Sequence, residues 1–204
     1  MNEPVTIHII DEDPGLRKSL SAVTESASLR AYASPRQFLA EANLQTPGCV
    51  VMDLRMPGTG GVDLLRQLNT DRQEIPVIIL TGPGDVKTAV SSLKLGAMDV
   101  LQKPVEEEEL VGAIRRALEI SRESHRRRGE TAMIRRRMEA LTLRELELLR
   151  LLVMGKSNKQ IGTELGISIK TVANHRASLM AKTQALNAAD LARMSTVAEG
   201  IYGR

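Results

Sequence analysis

The sequence predicts an α/β domain built on a five-stranded parallel, doubly wound sheet, followed by a smaller all-α domain of four helices. Three observations predict it. Short apolar runs alternate with helical patterns five times across the first 121 residues, the pattern turns wholly helical after residue 139, and the sign of the charge reverses between the two parts. Residues 1–121 carry 12 Lys and Arg against 17 Asp and Glu, whereas residues 122–204 carry 16 against 8. A basic module of that kind suits a polyanion, and the acidic module has a different task.

Val5–Ile10 is a continuous apolar run that ends in acids and is followed, after Pro14, by a helical pattern in which Leu16, Leu20 and Val23 share a face. The same step recurs as Leu29–Tyr32 with Ser34–Ala42, Val50–Met52 with Val62–Leu68, Val77–Leu80 with Asp85–Leu95, and Val100–Leu101 with Glu106–Leu118. Runs rich in Val, Ile and Leu suit strands covered on both faces. The acidic stretch Glu106–Glu109 follows Pro104 at a helix start, where acids complement the dipole, and receives no site role.

The composition excludes several classes. A chain of 204 residues suits two domains, and no apolar run approaches the length that spans a bilayer, so no membrane partner is expected. The N-terminus enters a strand-like run without a signal-peptide pattern, which predicts a cytoplasmic protein. The single Cys49 has no internal disulfide partner and reads as a small buried hydrophobe.

In an open parallel sheet, functional groups gather beyond the carboxyl ends of the strands. Asp11, Glu12 and Asp13 follow the first strand, Asp53 the third, Thr81 the fourth, and Lys103-Pro104 the fifth. Carboxylates grouped at one edge favour a hard divalent cation such as Mg²⁺. A Lys ammonium and a Thr hydroxyl beside them suit a phosphoryl group. Asp13 alone reads as a helix cap or turn residue.

The segments Ile10-Asp11-Glu12-Asp13, Met52-Asp53-Leu54-Arg55-Met56-Pro57-Gly58, Leu80-Thr81-Gly82 and Gln102-Lys103-Pro104 resemble the signature of response-regulator receiver domains, a flavodoxin-like fold. The resemblance implies Asp53 as the nucleophile that accepts phosphate from a sensor histidine kinase. It implies Mg²⁺ held by Asp11, Glu12, Asp53 and the backbone carbonyl of Arg55, with Thr81 and Lys103 on the phosphoryl oxygens and a cis Lys103-Pro104 bond. Two positions depart from the family: Glu12 stands where Asp is more usual, and Val100 where an aromatic residue commonly turns inward as Thr81 moves. The aromatic residues are Tyr32, Phe38 and Tyr202, so a Thr81–Val100 switch must run through an aliphatic side chain or another route.

Residues 122–138 form a basic stretch containing Arg126-Arg127-Arg128 and Arg135-Arg136-Arg137, expected to be a helical or flexible linker. Such runs are usually solvated, although their place beside a basic domain also puts them within reach of phosphates. Residues 139–204 follow. Thr142-Leu143-Arg144-Glu145 is a capping box that starts a helix with Leu146, Leu149, Leu152 and Val153 turned inward. A second helix is expected over Asn158–Leu165, a tight turn at Gly166, a cap at Ser168, and a third helix over Ile169–Lys182 with Val172 and Leu179 inward. Helix, glycine turn and helix is the arrangement that places its second helix in the major groove.

Leu141–Glu145, Gly155–Ile161, Leu165–Ser168 and Lys170–Arg176 resemble the LuxR-type helix-turn-helix domain, and the whole chain outside the linker resembles FixJ/NarL-type response regulators. By that resemblance Ala173, Asn174, His175, Arg176 and Ala177 approach base edges in double-stranded promoter DNA, with Asn174 suited to adenine. Lys156, Asn158, Lys159, Lys170, Thr171 and Lys182 are expected on phosphates. His175 reads equally as a packed or phosphate-facing side chain.

The implied mechanism is that phosphorylation promotes a homodimer which binds DNA, engages RNA polymerase and activates transcription. The chain is expected to be no enzyme beyond catalysing its own phosphoryl transfer. One alternative keeps DNA binding without phosphorylation, as the departures at Glu12 and Val100 suggest. Another is a nucleotide-dependent enzyme, but neither Gly58-Thr59-Gly60-Gly61 nor Gly82-Pro83-Gly84 is followed by the Lys-Ser/Thr of a P-loop.

Overall fold

The computed structural model describes residues 5–11, 27–56, 61–70 and 74–202, with side chains through 198. Glu12, Asp13, Pro14, the helical pattern from Leu16 to Val23, and Pro57 to Gly60 lie outside the described residues. The chain divides into two compact units, Met1–Arg126 and Arg127–Arg204.

The first unit contains β1 (Val5–Ile10), β2 (Ala27–Tyr32), α1 (Pro35–Glu41), β3 (Gly48–Asp53), α2 (Gly61–Thr70), β4 (Val77–Thr81), α3 (Val86–Lys94) and β5 (Asp99–Gln102). The strands are all parallel in the order β2-β1-β3-β4-β5. Alternation along each strand divides the apolar residues between two faces. Ile7, Ile9, Val51, Ile78, Leu80 and Leu101 meet Leu110, Ala113, Ile114 and Ala117 of α4 (Glu107–Glu139). Ile10, Val50, Met52 and Ile79 meet Phe38 of α1 and Leu64, Leu65 and Leu68 of α2. Covering both faces explains why the central strands β3 and β4 are continuously apolar rather than alternating. Cys49 belongs to the first of these cores, where burial pushes its thiol up to about 12.

Of the two expectations for residues 122–138, the helical one holds: the last helix of the α/β pattern continues through the basic stretch to Glu139. Ser121 Oγ accepts from the buried Gly48 N–H at 2.9 Å, and the Ser124 hydroxyl donates to Glu74, so the helix engages the first unit through Ser124. Among the described residues no helix is long and apolar enough to cross a membrane.

The second unit packs the end of α4 with α5 (Leu143–Val153), α6 (Asn158–Leu165), α7 (Ile169–Thr183) and α8 (Ala188–Tyr202). Its core joins Leu148, Leu149, Leu152, Ile161, Val172, Leu179, Leu191 and Met194 to Ile134 and Met138. The expectation that Val153 turns inward fails. It is exposed, and Leu146 is only partly buried, because Leu148, Leu149 and Leu152 set the apolar stripe. Gly166, at φ 66°, ends α6 in the left-handed conformation that glycine adopts without steric cost.

His8 is buried against Tyr32 and Phe38, with Nδ1 3.0 Å from the Tyr32 hydroxyl. Burial and then the nearby Arg30 charge lower its pKa from 6.5 to about 4. The unfolded chain therefore takes up a proton at His8 before the folded one does. The stabilising contribution is complete above pH 6.5 and is lost as pH falls through about 4. Acidification across that window should cost about 3 kcal/mol in chemical denaturation followed at first-unit amide resonances, and a His8→Phe variant should lack that component.

Candidate phosphoryl site and nucleic-acid interface

The strand order places β1 and β3 side by side, which brings Asp11 and Asp53 together at their carboxyl ends. Lys103, beyond β5, reaches across the end of β4. Its Nζ donates to Asp11 Oδ2 at 2.8 Å and to Asp53 Oδ2 at 2.6 Å. Burial alone would lower the ammonium pKa, but the hydrogen bonds and charges of Asp11 and Asp53 outweigh it and raise the value above that of an ordinary lysine. Asp11 is buried, with only 4% of its surface exposed. Its carboxylate accepts from the Lys103 ammonium in that buried position.

Lys103 N–H donates to Thr81 O at 2.7 Å, and the Lys103-Pro104 bond is cis. Asp53 Oδ1 accepts from Arg55 N–H at 2.8 Å. The Thr81 hydroxyl is buried and finds no hydrogen-bond partner among the described residues. Partly buried Val100 lines, with Thr81, an open pocket of about 240 Å³ flanked by Val86, Ala89, Val90 and Leu93 of α3. The two positions expected to act as a switch thus line one pocket.

Two convergent carboxylates are hard oxygen donors of the kind Mg²⁺ takes, so the residues present fit that ion. Glu12, the third acid of the expected set, lies outside the described residues. Among the described residues no group of three or more His, Cys, Asp or Glu is placed to hold a metal ion.

In the second unit, Ser168 caps α7 by accepting from Thr171 N–H at 3.1 Å. Burial of Val172 and Leu179 turns Ala173, Asn174, Arg176 and Ala177 to the exposed side, with His175 half-buried. Lys159 and Lys170 are exposed, Thr171 is half-buried, and Asn158 accepts from Arg176 Nη1 at 3.3 Å. Two of the lysines expected on phosphates have protein partners: Lys156 pairs with Glu164, and Lys182 Nζ lies 2.7 Å from Glu145 Oε2. In the basic stretch Arg126 pairs with Glu123 and Arg135 with Glu139, both at 2.8 Å.

Glu145 is the residue that sequence reasoning undervalued. As the third residue of α5, closing the capping box, it accepts from Thr142 N–H at 2.8 Å. It also accepts from Ser178 Oγ at 2.6 Å and from Lys182, tying the start of α5 to α7. Burial pushes its carboxyl up, but the hydrogen bonds from Lys182, Ser178 and Thr142 prevail and hold it at about 2. The available signal was Ser178 and Lys182, four residues apart on one helical face.

Comparison with known proteins matches each part of the chain to a family. Residues 7–115 match the response regulator receiver domain and residues 139–195 the bacterial regulatory proteins of the luxR family. The chain is 38% identical over 200 residues to the transcriptional regulatory protein FixJ of Azorhizobium caulinodans, covering 97% of this chain and 95% of that one. It is 36% identical to the response regulator protein TodT of Pseudomonas putida, covering 93% of this chain and 84% of TodT. Among solved structures, the response regulator StyR aligns with a TM-score of 0.86 at 32% identity, covering 96% of this chain and 99% of StyR.

Replacing Glu145 by Gln should destabilise the second unit by about 2 kcal/mol, the worth of a charge-assisted hydrogen bond. Urea unfolding followed at α5 and α7 amides checks this, and the first unit should unfold unchanged.

Proposed function

The chain belongs to the two-component response regulators that join a receiver domain to a LuxR-type DNA-binding domain, and on that premise we propose that phosphorylation of Asp53 switches its binding to promoter DNA. The observation that carries this reading is the Lys103 ammonium held 2.8 Å from Asp11 and 2.6 Å from Asp53. It sets a fixed positive charge where a phosphoryl group on Asp53 would develop negative charge.

The Asp53 carboxylate attacks phosphorus, forming the acyl phosphate as the bond to the imidazole nitrogen of a sensor kinase's phosphohistidine breaks, and the freed imidazole takes up a proton from solvent. Asp11, Glu12, Asp53 and the Arg55 carbonyl are the groups that would hold Mg²⁺. Bound there, the ion would neutralise the carboxylates and the phosphoryl oxygens. Lys103 exchanges its contact with Asp53 for one with a phosphoryl oxygen. The Thr81 hydroxyl, unpartnered among the described residues, donates to another, and its movement is transmitted through the shared pocket to Val100.

In this reading residues 1–121 form the receiver, 122–138 a basic connector and 139–204 the DNA-binding domain. The phosphorylated protein dimerises on a paired site in the cytoplasm, where it engages RNA polymerase and activates transcription. α7 enters the major groove with Ala173, Asn174, His175, Arg176 and Ala177 toward base edges. Asn158, Lys159, Lys170 and Thr171 contact phosphates, and Lys156 and Lys182 join them only by sharing or leaving Glu164 and Glu145.

Intact mass after incubation with Mg²⁺ and acetyl phosphate should show one added phosphate that disappears in Asp53→Ala. A folded protein that gains none would favour a DNA-binding regulator controlled without phosphorylation. On DNA, Asn174→Ala should reduce discrimination at one base pair by about 1–3 kcal/mol. Lys159→Ala should weaken all sequences alike and lower the salt dependence by about one counterion. Quantitative binding titrations at several salt concentrations separate the two.

A further inference from the structure

Arg55 and Asp85 make a contact that the phosphoryl chemistry above does not use. Asp85 sits at the N-cap of α3, yet its side chain makes no capping hydrogen bond. Its Oδ2 instead accepts from Arg55 Nε at 2.8 Å and lies 2.7 Å from Nη2. A carboxylate at this position ordinarily accepts from first-turn N–H groups, so the guanidinium holds Asp85 away from the helix start. The Arg55 side chain lies over the loop after β4. A Cβ on Gly82 would press against the guanidinium carbon at 3.2 Å, and glycine leaves room for that path. At its root, Arg55 N–H donates to Asp53 Oδ1 at 2.8 Å.

We propose that Arg55 is a two-position clamp that reports the state of Asp53 to α3. The proposal rests on the reading of Asp53 as phosphoryl acceptor. With Asp53 unmodified, the guanidinium has Asp85 as its anionic partner in a pair that is 61% and 28% exposed, an exchangeable contact in water. A phosphoryl group brings a charge near −2 and oxygens that match the planar guanidinium fork better than one carboxylate oxygen does. Arg55 then turns to the phosphoryl group, and Asp85 swings back to accept from the N–H groups of Lys87 or Thr88. Those residues begin the helix whose Val86, Ala89 and Val90 line the pocket beside Thr81 and Val100. Arg55 is a positioning residue for α3 as well as a further phosphoryl ligand, and its substitution leaves the backbone carbonyl in place.

The test is amide hydrogen exchange at residues 86–89 of the full-length protein, before and after treatment with Mg²⁺ and acetyl phosphate. Phosphorylation should slow exchange there several-fold in the wild type. Arg55→Gln should show slow exchange in both states, because Asp85 caps throughout, and Asp85→Ala fast exchange in both. Arg55→Lys should restore part of the response. A wild type that gains phosphate without a change at 86–89, or an Arg55→Gln protein that gains phosphate and responds as the wild type does, overturns the clamp alone. A wild type that gains no phosphate overturns the assignment of Asp53 with it.

Discussion

One ammonium between two carboxylates sets the terms for the first unit. Asp11 and Asp53 come from adjacent central strands, and Lys103 from a strand two places beyond Asp53. Without the cation the two acids would repel one another at close range in a poorly solvated position. The doubly wound sheet keeps all three at the same edge, and the apolar faces of its strands hold the register that aligns them. Core and site are therefore not separable: the packing of Val51, Ile78 and Leu80 fixes where the charges stand.

Much of this was legible because a parallel sheet collects its carboxyl ends at one edge, so Asp11, Asp53, Thr81 and Lys103 could be selected from strand-end positions alone. Periodicity does not give strand order, so it could not reveal that Lys103 spans both acids. Nor could it show Arg55 folded over Gly82 onto Asp85, since the pair is thirty positions apart in the chain and joins two loops. Whether the basic stretch was helical or flexible stayed open for another reason. Beyond Leu118 the helix is rich in charged residues and has little apolar stripe to register, so Ser121 and Ser124, two polar residues, mark where it still holds the sheet.

In the second unit a local motif has a distant use. The capping box was read correctly as a helix start, but a carboxylate has two oxygens and several lone pairs, and Glu145 spends the remainder on α7. The helix expected to face DNA is thus oriented partly from its rear by a buried charge. Lys182 illustrates the limit of counting cations: a lysine on a basic domain can serve the fold as readily as a polyanion. Val153 shows the same limit for apolar residues, where a one-residue shift of the stripe to Leu148, Leu149 and Leu152 leaves it on the surface.

The chain has no tryptophan, and its two described aromatic rings besides histidine, Tyr32 and Phe38, pack together around His8. The protein is therefore optically sparse. Its near-ultraviolet signal comes from Tyr32 at the edge of the sheet and from Tyr202 near the other end of the chain. A tryptophan placed in either unit would be the sole indole, excitable at the red edge where tyrosine does not absorb.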